Sequence, residues 1–217
     1  MIKTYALALL AALLMITHPV SANTSPFASN SLDVRPLLNG MSVPDIMVKD
    51  AQGSPFSLKA LFMQKPSVVL FYRGGWCPYC NRQLAELKDI EADLVQLGYQ
   101  ILAISPQSPA QLQEQKFDAN QAVTLLTDEN LAAISGFGIG FTVDEETRDK
   151  YKGYNISLTE NAQGKAVLPA PSLFFVDTKG VVQLSYVNPD YKVRPSAELV
   201  LAMARALAIP ETTANKE

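Results

Sequence analysis

The chain has 217 residues, with 18 basic and 21 acidic side chains and a net charge of −3. This length suffices for one hydrophobic core. The slightly acidic balance, without a long basic run, argues against nucleic-acid binding. The two cysteines and single histidine leave few side chains for metal ligation or nucleophilic catalysis.

Residues 1–22, MIKTYALALLAALLMITHPVSA, have the order of a secretory signal peptide: Lys3, an apolar run, then small residues ending at Ala22. We expect cleavage after Ala22 and a periplasmic or secreted protein with no membrane anchor. The apolar run is shorter than the roughly 20 residues that span a bilayer, although an uncleaved N-terminal anchor is the alternative.

Cleavage would remove His18, the only histidine. A Ser-His-Asp triad, a Cys–His pair and a His-ligated metal site are then excluded. Export would also place both cysteines in an oxidising compartment, where a disulfide is the expected resting state.

The remaining chain reads as a polar linker, 23–35, and a single domain, 36–210. Apolar runs bounded by turn residues predict strands, and apolar residues at helical spacing predict helices. The predicted strands are a hairpin within 45–58, then 67–72, 99–105, 124–128 and a second hairpin within 171–187. The predicted helices are one that starts at the cysteines and is stopped by Gly98, one that starts at Ser108-Pro109, a weak one within 131–141 and one that starts near 196.

Residues 144–165 are polar and read as a surface insertion. The alternation of strands and helices predicts an α/β fold with a central sheet flanked by helices on both faces. The sheet would be mostly parallel, with antiparallel strands added by the late hairpin.

Both cysteines lie in the stretch FYRGGWCPYC, where a predicted strand runs through two glycines into a predicted helix. Cys77 and Cys80 would therefore lie in the first helical turn, where Pro78 is well tolerated. Free backbone amides and the helix dipole stabilise a thiolate at such a position.

Three uses of this cysteine pair remain open. A structural disulfide between Cys77 and Cys80 would close a very short loop and stabilise little. A zinc site would need two further nitrogen or sulfur ligands, which the mature chain does not offer. A redox-active pair fits best, and we expect neither a metal nor a cofactor.

The segment FYRGGWCPYC, together with PSLFFVDTKG, resembles a bacterial branch of the peroxiredoxin-like AhpC/TSA (alkyl hydroperoxide reductase/thiol-specific antioxidant) family of the thioredoxin superfamily. The resemblance covers about residues 40 to 205. It implies a thioredoxin-like fold with a mixed sheet and an N-terminal β extension. It also implies that Pro171 forms a cis peptide bond facing the cysteines; an ordinary proline at a strand start is the alternative.

The motif departs from that of typical family members. Arg73 stands where they carry a proline, Cys77 where they carry a threonine, and Cys80 at the peroxide-attacking cysteine. The arginine that they bring from a later strand is missing near Pro171. Arg73 or Arg148 could stabilise a thiolate instead, although Arg148 is equally well explained as a solvated surface charge.

The attacking cysteine stays open. By analogy with thioredoxins Cys77 attacks and Cys80 resolves, and by analogy with peroxiredoxins the roles are reversed; both end in a Cys77–Cys80 disulfide. Trp76 and Tyr79 are expected at the rim of the site, either packing or contacting substrate.

These features predict an exported thiol peroxidase that reduces hydrogen peroxide or organic hydroperoxides and is recycled by a thioredoxin-like dithiol donor. The alternative is a thiol–disulfide oxidoreductase acting on exported proteins. A non-enzymatic module for metal delivery is a third hypothesis, disfavoured because the mature chain lacks histidine.

Overall fold

The computed structural model describes residues 25–115 and 123–208. The predicted signal peptide, 1–22, lies outside these residues. None of the helices within them is both long and apolar enough to cross a membrane.

The strands follow the apolar runs of the sequence, and their bounds are as follows. They are β1 (Met47–Lys49), β2 (Pro55–Ser57), β3 (Ser67–Phe71), β4 (Gln100–Ser105), β5 (Val123–Thr127), β6 (Gly140–Thr142), β7 (Val167–Pro169), β8 (Ser172–Val176) and β9 (Val182–Val187).

Seven of the described strands form one sheet in the order β2-β1-β5-β4-β3-β8-β9. Strands β3, β4 and β5 are parallel, whereas β8 runs antiparallel to both β3 and β9. The hairpin β1–β2 extends the opposite edge through an antiparallel contact with β5. The expected mixed sheet with an N-terminal β extension is therefore present. The expectation that it would be mostly parallel is wrong: among the described strands, two of the six pairings in this sheet are parallel and four are antiparallel.

Helices flank the sheet, and their bounds are as follows. They are α1 (Leu58–Gln64), α2 (Pro78–Asp89), α3 (Glu91–Gln96), α4 (Pro109–Glu114), α5 (Ala132–Gly136), α6 (Glu145–Gly153) and α7 (Ala197–Leu207). The single helix expected after the cysteines is divided at Ile90, whose φ of −107° and ψ of 5° interrupt the helix. Gly98 follows the end of α3 with a φ of +90°, the conformation that makes glycine a frequent helix terminator.

The alternation of side chains along β3 divides the core into two layers. Val69 and Phe71 pack with α1, α5 and β1. Val68, Leu70 and Tyr72 pack with α2, α3 and α7 on the other face. Both cysteines belong to this second layer, so the reactive pair is built into the core rather than attached to its surface.

The segment expected to be a linker lies along the small sheet formed by β6 and β7. The Ala28 amide donates to the Gly140 carbonyl at 3.0 Å, and the Thr142 amide donates to the Ala28 carbonyl at 2.9 Å. The Arg35 amide donates to Gly138 at 3.0 Å. Residues 25–35 thus pack along β6 and the residues directly before it.

Helix α5 begins at a buried carboxylate. Asp128 is 0% exposed, and its two oxygens accept from the Ala133 and Ile134 amides at 2.9 and 2.8 Å. These amides lack partners inside the helix, so Asp128 satisfies donors that water cannot reach.

We expect Asp128→Ala to lower the free energy of unfolding by about 2–3 kcal/mol, because it leaves two buried amides unpaired. Asp128→Asn keeps one acceptor oxygen and should cost less. Urea denaturation measures both. Ser196→Ala, which removes the exposed cap of α7, is the matched control at about 1 kcal/mol, and an equal loss at both caps would contradict the account.

Candidate active site

A tight turn delivers the first cysteine to the start of α2. The Cys77 amide donates to the Gly74 carbonyl at 3.1 Å, and Gly74 has a φ of +146°. The Gln107 side-chain oxygen accepts from the Gly75 amide at 2.8 Å, while the Asn81 side-chain amide donates to the Gly75 carbonyl at 2.8 Å. Gln107, which follows β4, and Asn81 on α2 thus hold the turn from two sides.

Both cysteines lie at the start of α2, as the sequence predicted. Cys77 is the N-cap of α2, with the exposed Pro78 as the first helical residue. Cys77 is 2% exposed and Cys80 is 0% exposed. The two cysteines are not joined by a disulfide in this structure.

Hydrogen bonding separates the pKa values of the two thiols. The Cys77 thiol donates to Cys80, and this contact is the main factor that lowers the pKa of Cys80 to about 6 against the opposing effect of burial. The same contact, with burial, raises the pKa of Cys77. Cys80 is therefore the more acidic of the two thiols.

An arginine from the other end of the chain reaches the thiolate. Arg194 donates from Nη2 to the Cys80 sulfur at 3.5 Å and from Nη1 to the Gln83 side-chain oxygen at 2.7 Å. Its Nε donates to the Tyr191 carbonyl at 3.1 Å. The charge and hydrogen bond of Arg194, together with the Arg73 backbone N–H, further lower the pKa of Cys80.

The expected cis bond at Pro171 is wrong: none of the peptide bonds within 25–115 and 123–208 is cis. Pro171 is a buried residue directly before β8, a position at which a trans proline sacrifices no ladder hydrogen bond. Its carbonyl accepts from the Asn188 amide at 3.1 Å. Pro171 thereby anchors the start of the 188–194 loop that carries Arg194.

The Arg73 side chain points away from the Cys80 sulfur. Its guanidinium lies 4.3 Å from the Tyr191 ring centroid and 5.8 Å from that of Phe141. It also donates to the Tyr151 hydroxyl at 3.4 Å. Arg73 thus serves the thiolate with its backbone only, and Arg194 supplies the guanidinium.

A cleft of about 570 Å³ opens in front of Cys77. Trp76 and Tyr79 form part of its rim, as expected, and each meets a second ring edge-on. Trp76 contacts Tyr151 at 5.1 Å and Tyr79 contacts Tyr191 at 5.6 Å between centroids. Cys77 lines the cleft, whereas Cys80 lies behind it.

The polar segment read as a surface insertion contains α6, which forms a wall of this cleft. Helix α6 has no buried residue, which explains why its sequence lacks an apolar stripe. Its Tyr151 nevertheless packs against the Trp76 ring and accepts a hydrogen bond from Arg73. Arg148 on the same helix is partly buried, with 29% of its side chain exposed, and its Nε lies 3.8 Å from the Asp149 carboxylate.

The chain that carries this site is similar to known proteins. The model of the AhpC/TSA family matches residues 40–185. The chain belongs to the AhpC/TSA family. This membership confirms the expected enzyme class, an oxidoreductase.

Two relatives of this AhpC/TSA protein are chloroplastic peroxiredoxin Q proteins. That of Arabidopsis thaliana is 27% identical over 176 residues, covering 80% of this chain and 70% of the relative. That of Populus jackii is 27% identical over 149 residues, covering 69% of this chain and 60% of the relative.

The solved structure of Xanthomonas campestris peroxiredoxin Q is similar with a TM-score of 0.60 and 18% identity. The match covers 78% of this chain and 98% of that chain. It confirms the thioredoxin-like α/β fold expected from the sequence.

Within residues 25–115 and 123–208, no three His, Cys, Asp or Glu side chains gather as a metal site would require. The site residues missed from the sequence are Arg194, Gln83, Gln107, Tyr151 and Tyr191. The Arg194-Pro195 step marks the approach to α7, but nothing in the sequence connects it to a cysteine 114 residues away.

Gly74 is the glycine of the AhpC/TSA turn that combines a positive φ with close neighbours. A Cβ there would lie 2.6 Å from Trp76 Nε1 and 3.0 Å from Gln107 Cδ, at a φ that disfavours other residues. We expect Gly74→Ala to cost about 1–3 kcal/mol of unfolding free energy and to alter Trp76 fluorescence. Chemical denaturation followed by that fluorescence measures both effects.

Gly153→Ala is the control, because a Cβ at Gly153 meets no atom within 4 Å. It should be neutral or slightly stabilising. Equal losses in the two variants would show that the turn is not constrained as described.

Proposed function

We propose that this protein is an exported thiol peroxidase in which the Cys80 thiolate attacks a peroxide and Cys77 resolves the product. The observation that carries the proposal is the contact of the Arg194 guanidinium with the Cys80 sulfur at 3.5 Å, which together with the hydrogen bond between the two cysteines lowers the pKa of Cys80. Thiolates, not thiols, are the nucleophiles.

The first step follows from these contacts. The Cys80 sulfur attacks one peroxide oxygen, the O–O bond breaks, and the departing oxygen takes a proton to leave as water or an alcohol. Cys80 becomes a sulfenic acid. Arg194 and the Cys77 S–H are placed to donate to the peroxide oxygens as negative charge moves onto the leaving group.

The second step uses the neighbouring thiol. The Cys77 sulfur displaces hydroxide from the Cys80 sulfenic acid, water leaves after protonation, and a Cys77–Cys80 disulfide forms. Two electrons from an external dithiol, of the thioredoxin-like kind, then restore both thiols. Because Cys77 lines the cleft, it is the sulfur that such a donor would attack.

Export of the protein is part of this proposal and depends on the signal-peptide pattern of residues 1–22. A disulfide formed in an exported protein would persist until a dedicated donor reduces it.

One observation favours the alternative, a thiol–disulfide oxidoreductase. The sulfur that faces the cleft is Cys77, the residue that attacks by analogy with thioredoxins. This route requires a Cys77 thiolate, and the raised pKa of Cys77 makes that species scarce while Cys80 is ionised.

Stopped-flow oxidation of the reduced protein by hydrogen peroxide, followed by Trp76 fluorescence, tests the roles. We expect Cys77→Ser to retain rapid oxidation and to accumulate a sulfenic acid that a dimedone-type reagent traps. Cys80→Ser should react no faster than a free thiol. Rapid oxidation of Cys80→Ser alone would reverse the roles, and slow oxidation of the wild type would leave disulfide exchange as the function.

The rate of peroxide oxidation should rise with pH through a midpoint near 6, the pKa of Cys80, because deprotonation creates the nucleophile. Arg194→Gln removes a positive charge from the thiolate and should move this midpoint upward by about 1 pH unit. The pH profile of the second-order rate constant measures the shift.

Arg205→Gln on α7 is the matched control, since it removes an exposed arginine from the same part of the chain. Its midpoint should equal that of the wild type. A midpoint that moves equally in both variants would assign the effect to net charge rather than to the Arg194 contact.

A further inference from the structure

The cleft contains a buried cation that the peroxidase chemistry leaves without a role. Arg73 lines the cleft and is only 6% exposed. Its Nε is buried and has no hydrogen-bond partner, and no carboxylate of the described residues forms an ion pair with it.

The contacts that Arg73 does make are with neutral rings. Tyr151 accepts one hydrogen bond at 3.4 Å, and the rings of Tyr191 and Phe141 lie at 4.3 and 5.8 Å. A guanidinium has five N–H donors, and a buried charge is normally paired with an opposite charge. The three rings of Tyr151, Tyr191 and Phe141 therefore hold the Arg73 guanidinium in place but do not neutralise its charge.

The size of the cleft indicates what could supply the missing charge. Its volume of about 570 Å³ is typical of pockets for drug-sized ligands. Hydrogen peroxide would fill little of it, since a water occupies about 30 Å³. The walls are largely apolar or aromatic, the main contributors being Trp76, Tyr79, Phe141, Tyr151, Ile156 and Leu168.

The other charges at the cleft lie at its outer rim. Asp144 is exposed and accepts the Thr147 amide at 2.7 Å as the cap of α6. Lys150 is also exposed. Arg73 is therefore the charged side chain that a ligand inside the cleft would meet away from bulk water, where an ion pair is least screened.

We propose that Arg73 is the anion subsite for a hydroperoxide that bears a carboxylate on an aromatic or alkyl body. The carboxylate pairs with the Arg73 guanidinium, the body lies against the ring walls, and the hydroperoxide group extends past Cys77 to Cys80. This assignment rests on the proposed peroxidase function, and the product is the corresponding hydroxy acid.

The test compares two hydroperoxides of nearly equal shape: para-carboxylated cumene hydroperoxide and its neutral para-carboxamide. Oxidation of the reduced wild type, without any reductant, is followed by stopped-flow Trp76 fluorescence. We expect the carboxylate to react at least ten-fold faster in second-order rate constant. A ratio near 1 in the wild type overturns the proposal.

Arg73→Gln should reduce this ratio to about 1, and Arg73→Lys should restore it in part. The ratio is the readout, because a general loss of thiol reactivity affects both substrates alike. Arg82→Gln, which removes an exposed arginine lying 5.5 Å from the Tyr79 ring, should keep the ratio of the wild type. A ratio that survives in Arg73→Gln, or that falls equally in Arg82→Gln, contradicts the assignment.

A binding measurement on the wild type decides the subsite even if the protein is not a peroxidase or Arg73→Gln fails to fold. The probes are 4-isopropylbenzoate and 4-isopropylbenzamide, which lack the hydroperoxide group. Calorimetry should detect the benzoate at least ten-fold more tightly than the amide, and equal or absent binding of both overturns the proposal. If hydrogen peroxide oxidises the protein slowly while the benzoate still binds, only the peroxidase function fails.

Discussion

The site depends on keeping one sulfur negatively charged inside the core. Cys80 is fully buried within the layer formed by α2, α3 and α7, where an unpaired charge would be strongly unfavourable. Three donors make the thiolate stable there: the Cys77 thiol, the Arg194 guanidinium and the Arg73 backbone amide. The tight turn at Gly74, the first turn of α2 and the 188–194 loop all serve to place these donors.

The arginine reaches the sulfur by a route that differs from the motif of typical family members. The arginine that they bring from a later strand is missing near Pro171, whose carbonyl instead anchors the 188–194 loop at Asn188. Arg194 then approaches Cys80 from this loop and is held by Gln83 on α2. The thiolate requires a nearby cation, whereas the fold allows more than one segment to provide it.

The cysteine that lines the cleft is not the more acidic one. Cys77 lines the cleft, whereas Cys80, the more acidic thiol, lies behind it. A small molecule that reaches Cys80 through the cleft must therefore pass Cys77. Helix α6 forms a wall of the cleft, and its Tyr151 contacts both Trp76 and Arg73.

The local sequence was sufficient to predict the strand–turn–helix unit, the positions of Cys77 and Cys80 and the mixed α/β sheet. Each depends on patterns within a few residues: buried apolar runs, two glycines, and a proline in a first helical turn. Only the tertiary structure decided the trans bond at Pro171, the role of Tyr151 in a polar helix and the contact of Arg194 with Cys80. Those features depend on contacts between residues up to 114 positions apart, and a lone arginine or tyrosine in a sequence carries no sign of its distant partner.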